Sequence, residues 1–179
     1  MKKKGIPALL LLVALGALAW YALAPGGSAA DRALLEAARA GNASDTARLL
    51  AAGANPNARL VTARWVRFKD GEPPADEEST PLHFAAEGDF VPVIAALIEK
   101  GADVNARNRF GNTPLMLAAG RLDPKAVKVL LEHGADAAAT NQFGKTAADF
   151  ATKRNVRPED KALIKTLQEA VEQPVKAGR

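Results

Sequence analysis

The strongest constraint on the fold is an internal repeat with a period of 33 residues. The segment TPLHFAA at 80–86 aligns with TPLMLAA at 113–119, and KGAD at 100–103 aligns with HGAD at 133–136. The segment FGNT at 110–113 then recurs as FGKT at 143–146. A single period shared by several landmarks is typical of solenoids, in which each repeat packs only on its neighbours.

Each landmark has a mechanical role in such a repeat. The Thr-Pro start suits a helix N-terminus, with Thr as the cap and Pro at the first helical position. The paired alanines are small enough to let two helices approach closely, and the apolar run at 93–98 gives the second helix a buried stripe. Gly101 and Gly134 fall just after the second helices, where a left-handed residue ends a helix without strain. The repeat therefore predicts two short antiparallel helices and a turn.

Together with LIEKGADVNARNRFGN at 97–112 and LLEHGADAAATNQFGK at 130–145, these segments resemble ankyrin repeats. The resemblance covers residues 32–173 and implies an all-α solenoid of about four helix-turn-helix repeats. The repeats are placed at 32–59, 80–112, 113–145 and 146–173, with a tail at 174–179. The first repeat is degenerate and the last is a capping version, whose closing helix is expected to start near Pro158.

Four residues depart from the family's pattern. Gly88 comes one position before the usual glycine of the turn between the helices, and Leu122 occupies that position in the third repeat. We therefore expect irregular turns at both places. Asn108 and Asn141 stand where Asp is commoner, which keeps a turn-capping side chain but removes its charge.

An insertion at 60–79 lengthens the first junction by 15 residues. A β-prone run before Asp70-Gly71 predicts that it extends one β-hairpin-like finger. One interpretation makes Arg64, Trp65, Arg67 and Phe68 a binding hot spot, because Trp and Arg dominate interface energetics. The alternatives are that Trp65 folds back to shield the concave helices of the first repeats, or that the acidic limb of the insertion is disordered.

The first 24 residues predict a membrane-directed segment. Three lysines at 2–4 precede an uncharged apolar run at 6–24, long enough as a helix to cross a bilayer. An uncleaved anchor is favoured by this length and by Trp20 and Tyr21; a cleaved signal is favoured by small residues before Asp31. Residues 25–31 are predicted to be a linker. In both cases the positive-inside rule sends the repeats across the membrane.

The charge of the chain does not favour nucleic-acid binding. After the three N-terminal lysines, 21 basic and 20 acidic residues are interleaved, whereas a nucleic-acid surface needs clustered basic residues. The chain has no cysteine, which rules out disulfides, thiolate metal sites and a cysteine nucleophile. No nucleic acid is therefore expected as a partner.

No residue pattern predicts catalysis. His83 lies in the TPLH segment, where the family uses it to brace the start of the helix, and His133 ends a helix, where it meets free carbonyls. The serines lack a nucleophile context, and no phosphate-binding or zinc-binding motif is present. We expect no enzymatic activity, cofactor, metal or small-molecule substrate, unless a partner supplies the chemistry.

The resemblance implies a protein–protein interaction module, and the N-terminal segment predicts that the module acts on the periplasmic side of the inner membrane. A soluble periplasmic or secreted form would follow from signal cleavage. The specific role is left open between immunity against a secreted toxin, assistance to an envelope enzyme, and a structural membrane tether. The predicted contact residues are Arg64, Trp65, Arg67, Phe68, Glu87, Arg107, Arg109, Phe110, Arg121, Gln142 and Phe143.

Overall fold

The structure is a computed structural model and describes residues 28–59, 78–152, 158 and 160–172. These residues form helices and turns and contain no strand, which confirms the predicted helical solenoid. The helices are α1 (Ala29–Arg39), α2 (Ala43–Ala51), α3 (Pro81–Glu87), α4 (Val91–Glu99), α5 (Pro114–Arg121), α6 (Pro124–Glu132), α7 (Ala147–Thr152) and α8 (Asp160–Glu172).

The helices stack in two layers. The first helices of successive repeats, α1, α3, α5 and α7, contact one another in order and form the inner layer. In the outer layer α2 contacts α4 and α4 contacts α6, while α8 packs on α7 at the end of the stack. Each repeat thus buries its faces on its neighbours, as expected of a solenoid.

The Thr-Pro segments start the inner helices as predicted. Pro81 and Pro114 occupy the first helical positions after Thr80 and Thr113. The backbone N–H of Met116 donates to the Thr113 hydroxyl oxygen at 3.4 Å. At these positions the missing N–H of proline leaves no helical hydrogen bond unmade.

Alanine and leucine build the core between the two layers. The paired alanines of the second and third repeats are fully buried, because a larger side chain would force the inner helices apart. Leu82 and Leu115 lie at equivalent positions of α3 and α5 and are also fully buried, as are Leu97 and Leu130 in the outer helices. The 33-residue period is thus a period of buried contacts.

The turn between the two helices of a repeat is regular in backbone although its residues differ. Gly41, Asp89 and Leu122 occupy the same position and have φ of 69°, 62° and 62°. The predicted irregular turns are therefore wrong for the backbone; the irregularity lies in residue type. A left-handed φ strains Asp89 and Leu122 but not Gly41.

Position 88 requires glycine because there is no space for a side chain, and not because of its backbone conformation. An ideal Cβ built on Gly88 would lie 2.2 Å from the Phe90 ring, and one on Gly41 would lie 2.5 Å from the same ring. The ring therefore fills the gap between the turns of the first two repeats, which leaves no room for a side chain at either glycine. This explains why the glycine comes one position early.

One boundary differs from that predicted. Residues 28–31, predicted to belong to a linker, form the cap and first turn of α1, with the Asp31 N–H donating to the Ser28 hydroxyl oxygen at 3.1 Å. Helix α8 begins at Asp160, two residues after Pro158, near which it was predicted to start. A side chain at a helix start that accepts an otherwise unpaired N–H defines where the helix begins.

Two predictions fall outside the described residues. The apolar segment 6–24 is one, and the β-hairpin-like finger with Arg64, Trp65, Arg67 and Phe68 is the other. Among the residues that are described, no helix has the length and apolar character needed to cross a bilayer.

Candidate interaction surface

Three loops project from one edge of the stack, and we call them finger 1 (53–59), finger 2 (101–112) and finger 3 (134–145). Asparagine side chains join them. The Asn57 side-chain amide donates to the carbonyl of Gly101 at 3.0 Å and its oxygen accepts from the N–H of Asp103 at 2.7 Å. Asn105 repeats both bonds one finger further, to Gly134 and Asp136. The fingers are thereby held as one edge.

Arginines brace the same edge closer to the tips. Arg59 Nη1 donates to the carbonyl of Arg107 at 2.9 Å, and Arg107 Nη1 donates to the carbonyl of Thr140 at 2.7 Å. Arg107 was predicted to contact a partner; it is exposed, but its guanidinium also positions finger 3. Hydrogen bonds from charged donors are stronger than neutral ones, so these contacts stiffen the tips.

Asparagine shapes the tips of fingers 2 and 3, as the sequence predicted. The Asn108 side-chain oxygen accepts from the N–H groups of Phe110 and Asn112, each at 3.0 Å. Asn141 makes the equivalent bonds in finger 3, and its amide also donates to the Asn112 side-chain oxygen at 2.8 Å. The tip turns are therefore fixed by side chains before any partner binds.

These turns present an aromatic pair. The rings of Phe110 and Phe143 have their centroids 6.3 Å apart, and Phe143 remains 67 % exposed. The Gln142 N–H donates to the Phe110 carbonyl at 3.1 Å, and the Gln142 side chain donates to the Arg109 carbonyl at 3.2 Å. Four residues predicted to bind a partner, Arg109, Phe110, Gln142 and Phe143, are thus brought together.

A groove of about 640 Å³ lies between the fingers and the inner helices. Its apolar lining comes from Phe84, Phe90, Phe110 and Leu117. Its polar lining comes from Arg39, Ser79, Glu87, Asn108, Asn112 and Arg121. Because Phe110 belongs to both, the groove and the aromatic pair form one surface.

Sequence reasoning placed Glu87, Phe110 and Arg121 on this surface but missed Arg39, Phe84, Phe90 and Leu117. Arg39 lies over the Phe84 ring, with its Cζ 5.3 Å from the ring centroid. A signal was available for Phe84 and Leu117, which are 33 residues apart and directly precede the paired alanines. The residue before the paired alanines of one inner helix therefore predicts the groove-lining residue of the next.

His83 has a structural role and connects two repeats. Its Nδ1 accepts from the N–H of Thr80 at 3.2 Å, and its Nε2 lies 2.9 Å from the carbonyl oxygen of Asn112. Burial lowers the pKa of His83 to about 4, so the ring is neutral near pH 7. This confirms the predicted bracing of the helix start and adds a bond to finger 2.

The turns also bring two carboxyl groups together. A hydrogen bond to Asp123, together with burial, raises the pKa of Asp89 to about 6. Asp123 caps α6 by accepting the N–H groups of Lys125 and Ala126, at 2.9 and 2.8 Å. Within the part of the chain that the structure describes, no three His, Cys, Asp or Glu side chains are grouped to hold a metal ion.

The stacked helix pairs, the braced fingers and the groove define a helical-repeat protein. The family model described as "Ankyrin repeats (3 copies)" matches residues 34–141 and 82–172. These matches cover more than half of the chain, so the chain belongs to the ankyrin-repeat family. The family is typically a non-enzymatic module for protein–protein interaction.

The curated relatives share the repeats within different proteins. An ankyrin repeat protein by name, from Rickettsia bellii (strain RML369-C), is 37 % identical over 94 residues, 48 % of this chain and 39 % of its own length. A protein of Oryza sativa subsp. japonica named as the E3 ubiquitin-protein ligase XBOS33 is 38 % identical over 93 residues, 52 % of this chain and 15 % of its own.

A third relative, alpha-latrocrustotoxin-Lt1a from Latrodectus tredecimguttatus, is 50 % identical over 42 residues, 24 % of this chain and 3 % of its own length. The chain thus spans well under two thirds of the length of these relatives. Their names differ as widely as a ligase and a toxin, so the shared segments carry the repeat rather than a common activity.

Proposed function

We propose that this chain binds another protein through the groove and the tips of fingers 2 and 3 as one surface. The observation that carries the proposal is the Phe110–Phe143 pair, in which an aromatic ring remains 67 % exposed beside a groove that is lined in part by apolar side chains. Exposed aromatic residues with arginine neighbours are the residues that most often dominate binding energy. The braced tips add to affinity because little ordering remains to be done on binding.

We also propose that the insertion at 60–79 adds to this surface. The described residues at its two ends support the proposal: Ser79 lines the groove, and Arg59 Nη1 donates to the Glu78 carbonyl at 3.2 Å. The chain therefore enters and leaves the insertion beside the groove. Arg64, Trp65, Arg67 and Phe68 remain predicted contacts on that segment.

We further propose that the chain is a bacterial-type envelope protein, anchored by residues 6–24, with its repeats in the periplasm. Cleavage before Asp31 would cut inside the first turn of α1 and remove the capping Ser28, which favours the uncleaved anchor. Residues 25–27 then reach at most about 10 Å, which keeps the repeats close to the membrane surface. Mass spectrometry of the mature protein tests this, because a new terminus at Asp31 would contradict it.

Two roles suit an interaction module in that place. Neutralising a secreted toxin or assisting an envelope enzyme both require a dedicated partner on the proposed surface. A structural membrane tether requires none. The two roles that require a partner are favoured over the tether, because a tether would not require Phe143 to remain exposed beside a groove.

The experiment is site-specific photo-cross-linking in cells. A photoreactive phenylalanine at position 143 should capture one reproducible partner from the envelope fraction, identified by mass spectrometry. The matched control is the same residue at position 171, because Val171 is the other large hydrophobic side chain found exposed in the described residues, at 39 %. Reproducible capture at neither position would favour the tether; equal capture of the same protein at both would contradict the proposed surface.

A further inference from the structure

We infer that the segment bound in the groove is acidic at both ends and apolar at its centre. This inference rests on the proposed function and specifies the chemistry of the partner at the same surface. It is drawn from the order of charged side chains along the groove and from the apolar side chains that line part of it.

One charged residue from each of three successive inner helices lines the groove. Arg39 comes from the end of α1, Glu87 from the end of α3 and Arg121 from the end of α5. All three residues are exposed. The order along the groove is therefore positive, negative, positive. A bound segment complements this order when its two ends are acidic and its centre is not, because like charges in register would repel.

Apolar side chains line part of the groove, beside the polar Ser79, Asn108 and Asn112. Phe84 and Leu117 lie on the inner helices α3 and α5, Phe90 lies in the turn after α3, and Phe110 lies on finger 2. A volume of about 640 Å³ lies in the range of pockets that enclose small ligands. Such a groove admits a few large apolar side chains rather than a whole helix. The occupant is thus an extended segment that inserts side chains.

The stacking of the helices sets the spacing of the acidic residues. Packed helices lie about 8–10 Å apart, so α1 and α5 are separated by roughly 16–20 Å. An extended chain rises about 3.3 Å per residue, so this distance corresponds to about five or six residues. Alternate side chains of an extended segment point the same way. Acidic residues at the first and seventh positions therefore share one face with apolar residues at the third and fifth.

The finger tips favour the same partner. Residues 104–112 and 137–145 carry Arg107, Arg109 and Lys145 and contain no acid. A partner that continues past the groove onto the tips therefore meets positive charge. An anionic lipid surface would also meet it, but a flat bilayer offers no apolar side chain for a recess, so a protein segment is favoured.

The probe is a fluorescent heptapeptide with Glu at the first and seventh positions, Trp at the third, Leu at the fifth and Ser elsewhere. It is titrated against the full chain in detergent, followed by fluorescence anisotropy. Two comparison peptides replace either the Glu pair by Lys or the apolar pair by Ser. Each is expected to bind at least about tenfold more weakly, which corresponds to 1.4 kcal/mol.

A charge-swap variant separates recognition from folding. The double variant Arg39→Glu with Arg121→Glu should bind the Glu-ended probe at least about tenfold more weakly and should prefer the Lys-ended peptide. Lys100→Glu, an exposed residue after α4 and outside the groove lining, is the matched control and should bind within about twofold of the parent. The milder pair Arg39→Gln with Arg121→Gln serves if the Glu variant fails to fold.

The inference is overturned if the Lys-ended peptide binds the parent as well as the Glu-ended probe does, or if neither binds. It is also overturned if vesicles of phosphatidylglycerol bind with the same sensitivity to the double variant while the peptides do not. Capture of a partner at position 143 alongside either result would leave the proposed function standing and remove only this chemistry.

Discussion

The second and third repeats have the same backbone but reach it with different side chains. At three equivalent positions, Gly88, Phe90 and His83 of the second repeat are replaced in the third by Arg121, Asp123 and Met116. The second repeat fills its turn with an aromatic ring and bonds its neighbour through a buried imidazole. The third caps its outer helix with a carboxylate. One repeat geometry therefore has two solutions, one of packing and one of hydrogen bonding.

This difference decides where each repeat tolerates change. The second repeat, which packs a ring into its turn, should be destabilised by added volume. The third repeat, which caps its outer helix with a carboxylate, should be destabilised by removal of that polar group. It also places the charged Arg121 on the groove at the position where the second repeat must have glycine. Four predictions test the comparison, each measured as a change in the free energy of unfolding.

The largest effect is expected for Gly88→Ala. The added Cβ would lie 2.2 Å from the Phe90 ring, which lies between two turns and has little room to move. We expect a loss of about 2–3 kcal/mol by urea denaturation, at the upper end of overpacking costs. In a Phe90→Asp background the loss should fall below about 0.5 kcal/mol, because the clash is gone. Equal losses in both backgrounds would show that Gly88 does not make room for the ring.

The next effect is the pH dependence that His83 confers and Met116 cannot. Burial lowers its folded pKa to about 4, whereas the unfolded value is 6.5. The unfolded chain therefore binds the proton more readily, and stability falls as the pH drops from about 6.5 to 4. At about 1.4 kcal/mol per pKa unit, the loss is about 2–3 kcal/mol between pH 7.5 and 4.5.

Urea denaturation at the two pH values measures this loss, and His83→Met is the matched variant because methionine occupies the equivalent position in the third repeat. The variant should be less stable at pH 7.5 but should lack most of the pH dependence. Parallel pH profiles for parent and variant would assign the dependence to other groups.

A smaller effect is expected from the asparagine that joins fingers 2 and 3. Asn105→Ala removes one bond to the Gly134 carbonyl and one from the Asp136 N–H. Each hydrogen bond contributes about 0.5–1.5 kcal/mol net, and both of these bonds are exposed. The free energy of unfolding should therefore fall by about 1–2 kcal/mol. Ala138→Asn, at the equivalent position of finger 3, should change stability by less than about 0.5 kcal/mol. A gain at Ala138 as large as the loss at Asn105 would contradict this difference.

The smallest effect concerns the two turn carboxyls. The hydrogen bond to Asp123, with burial, raises the pKa of Asp89 from 3.8 to about 6 in the folded chain, so stability is lost as the pH rises from about 4 to 6. Asp89→Asn should therefore stabilise at pH 8 and not at pH 3. The gain should be below about 1 kcal/mol, because solvent screens an exposed carboxylate. Thermal unfolding at the two pH values measures it, and an equal change at both would rule out the ionisation.

The solenoid could be predicted because it depends on local rules repeated at a fixed interval. Thr-Pro starts, paired alanines and the glycines after the outer helices each act within one repeat, so a single sequence displays them. Contacts between repeats were harder to predict from the sequence. Arg107 was predicted as a partner contact, and its bond to the Thr140 carbonyl could not be predicted because it depends on how closely two fingers stack. Gly88 looked irregular for the same reason, since the Phe90 ring is a neighbour only after folding.

The candidate surface was predicted in part. Exposed tip residues such as Phe143 follow from the repeat position, whereas the groove depends on how finger and inner helix face each other. The 33-residue spacing relates Phe84 to Leu117, but the groove that they line together with finger 2 is defined only when the layers are stacked.

The finger edge is closed at both ends, and this limits what the protein can join. At finger 1 the Asp31 carboxylate accepts the N–H of Asn55 at 2.8 Å. The equivalent N–H groups of fingers 2 and 3 are accepted by the side chains of Asn57 and Asn105. At the other end, Ala138 stands where a further asparagine would reach outward. An edge with matching donors and acceptors at its two ends could add copies head to tail, like an open sheet. In the described fingers this series of bonds begins at Asp31 and stops at Ala138, so it favours a single stack over a filament.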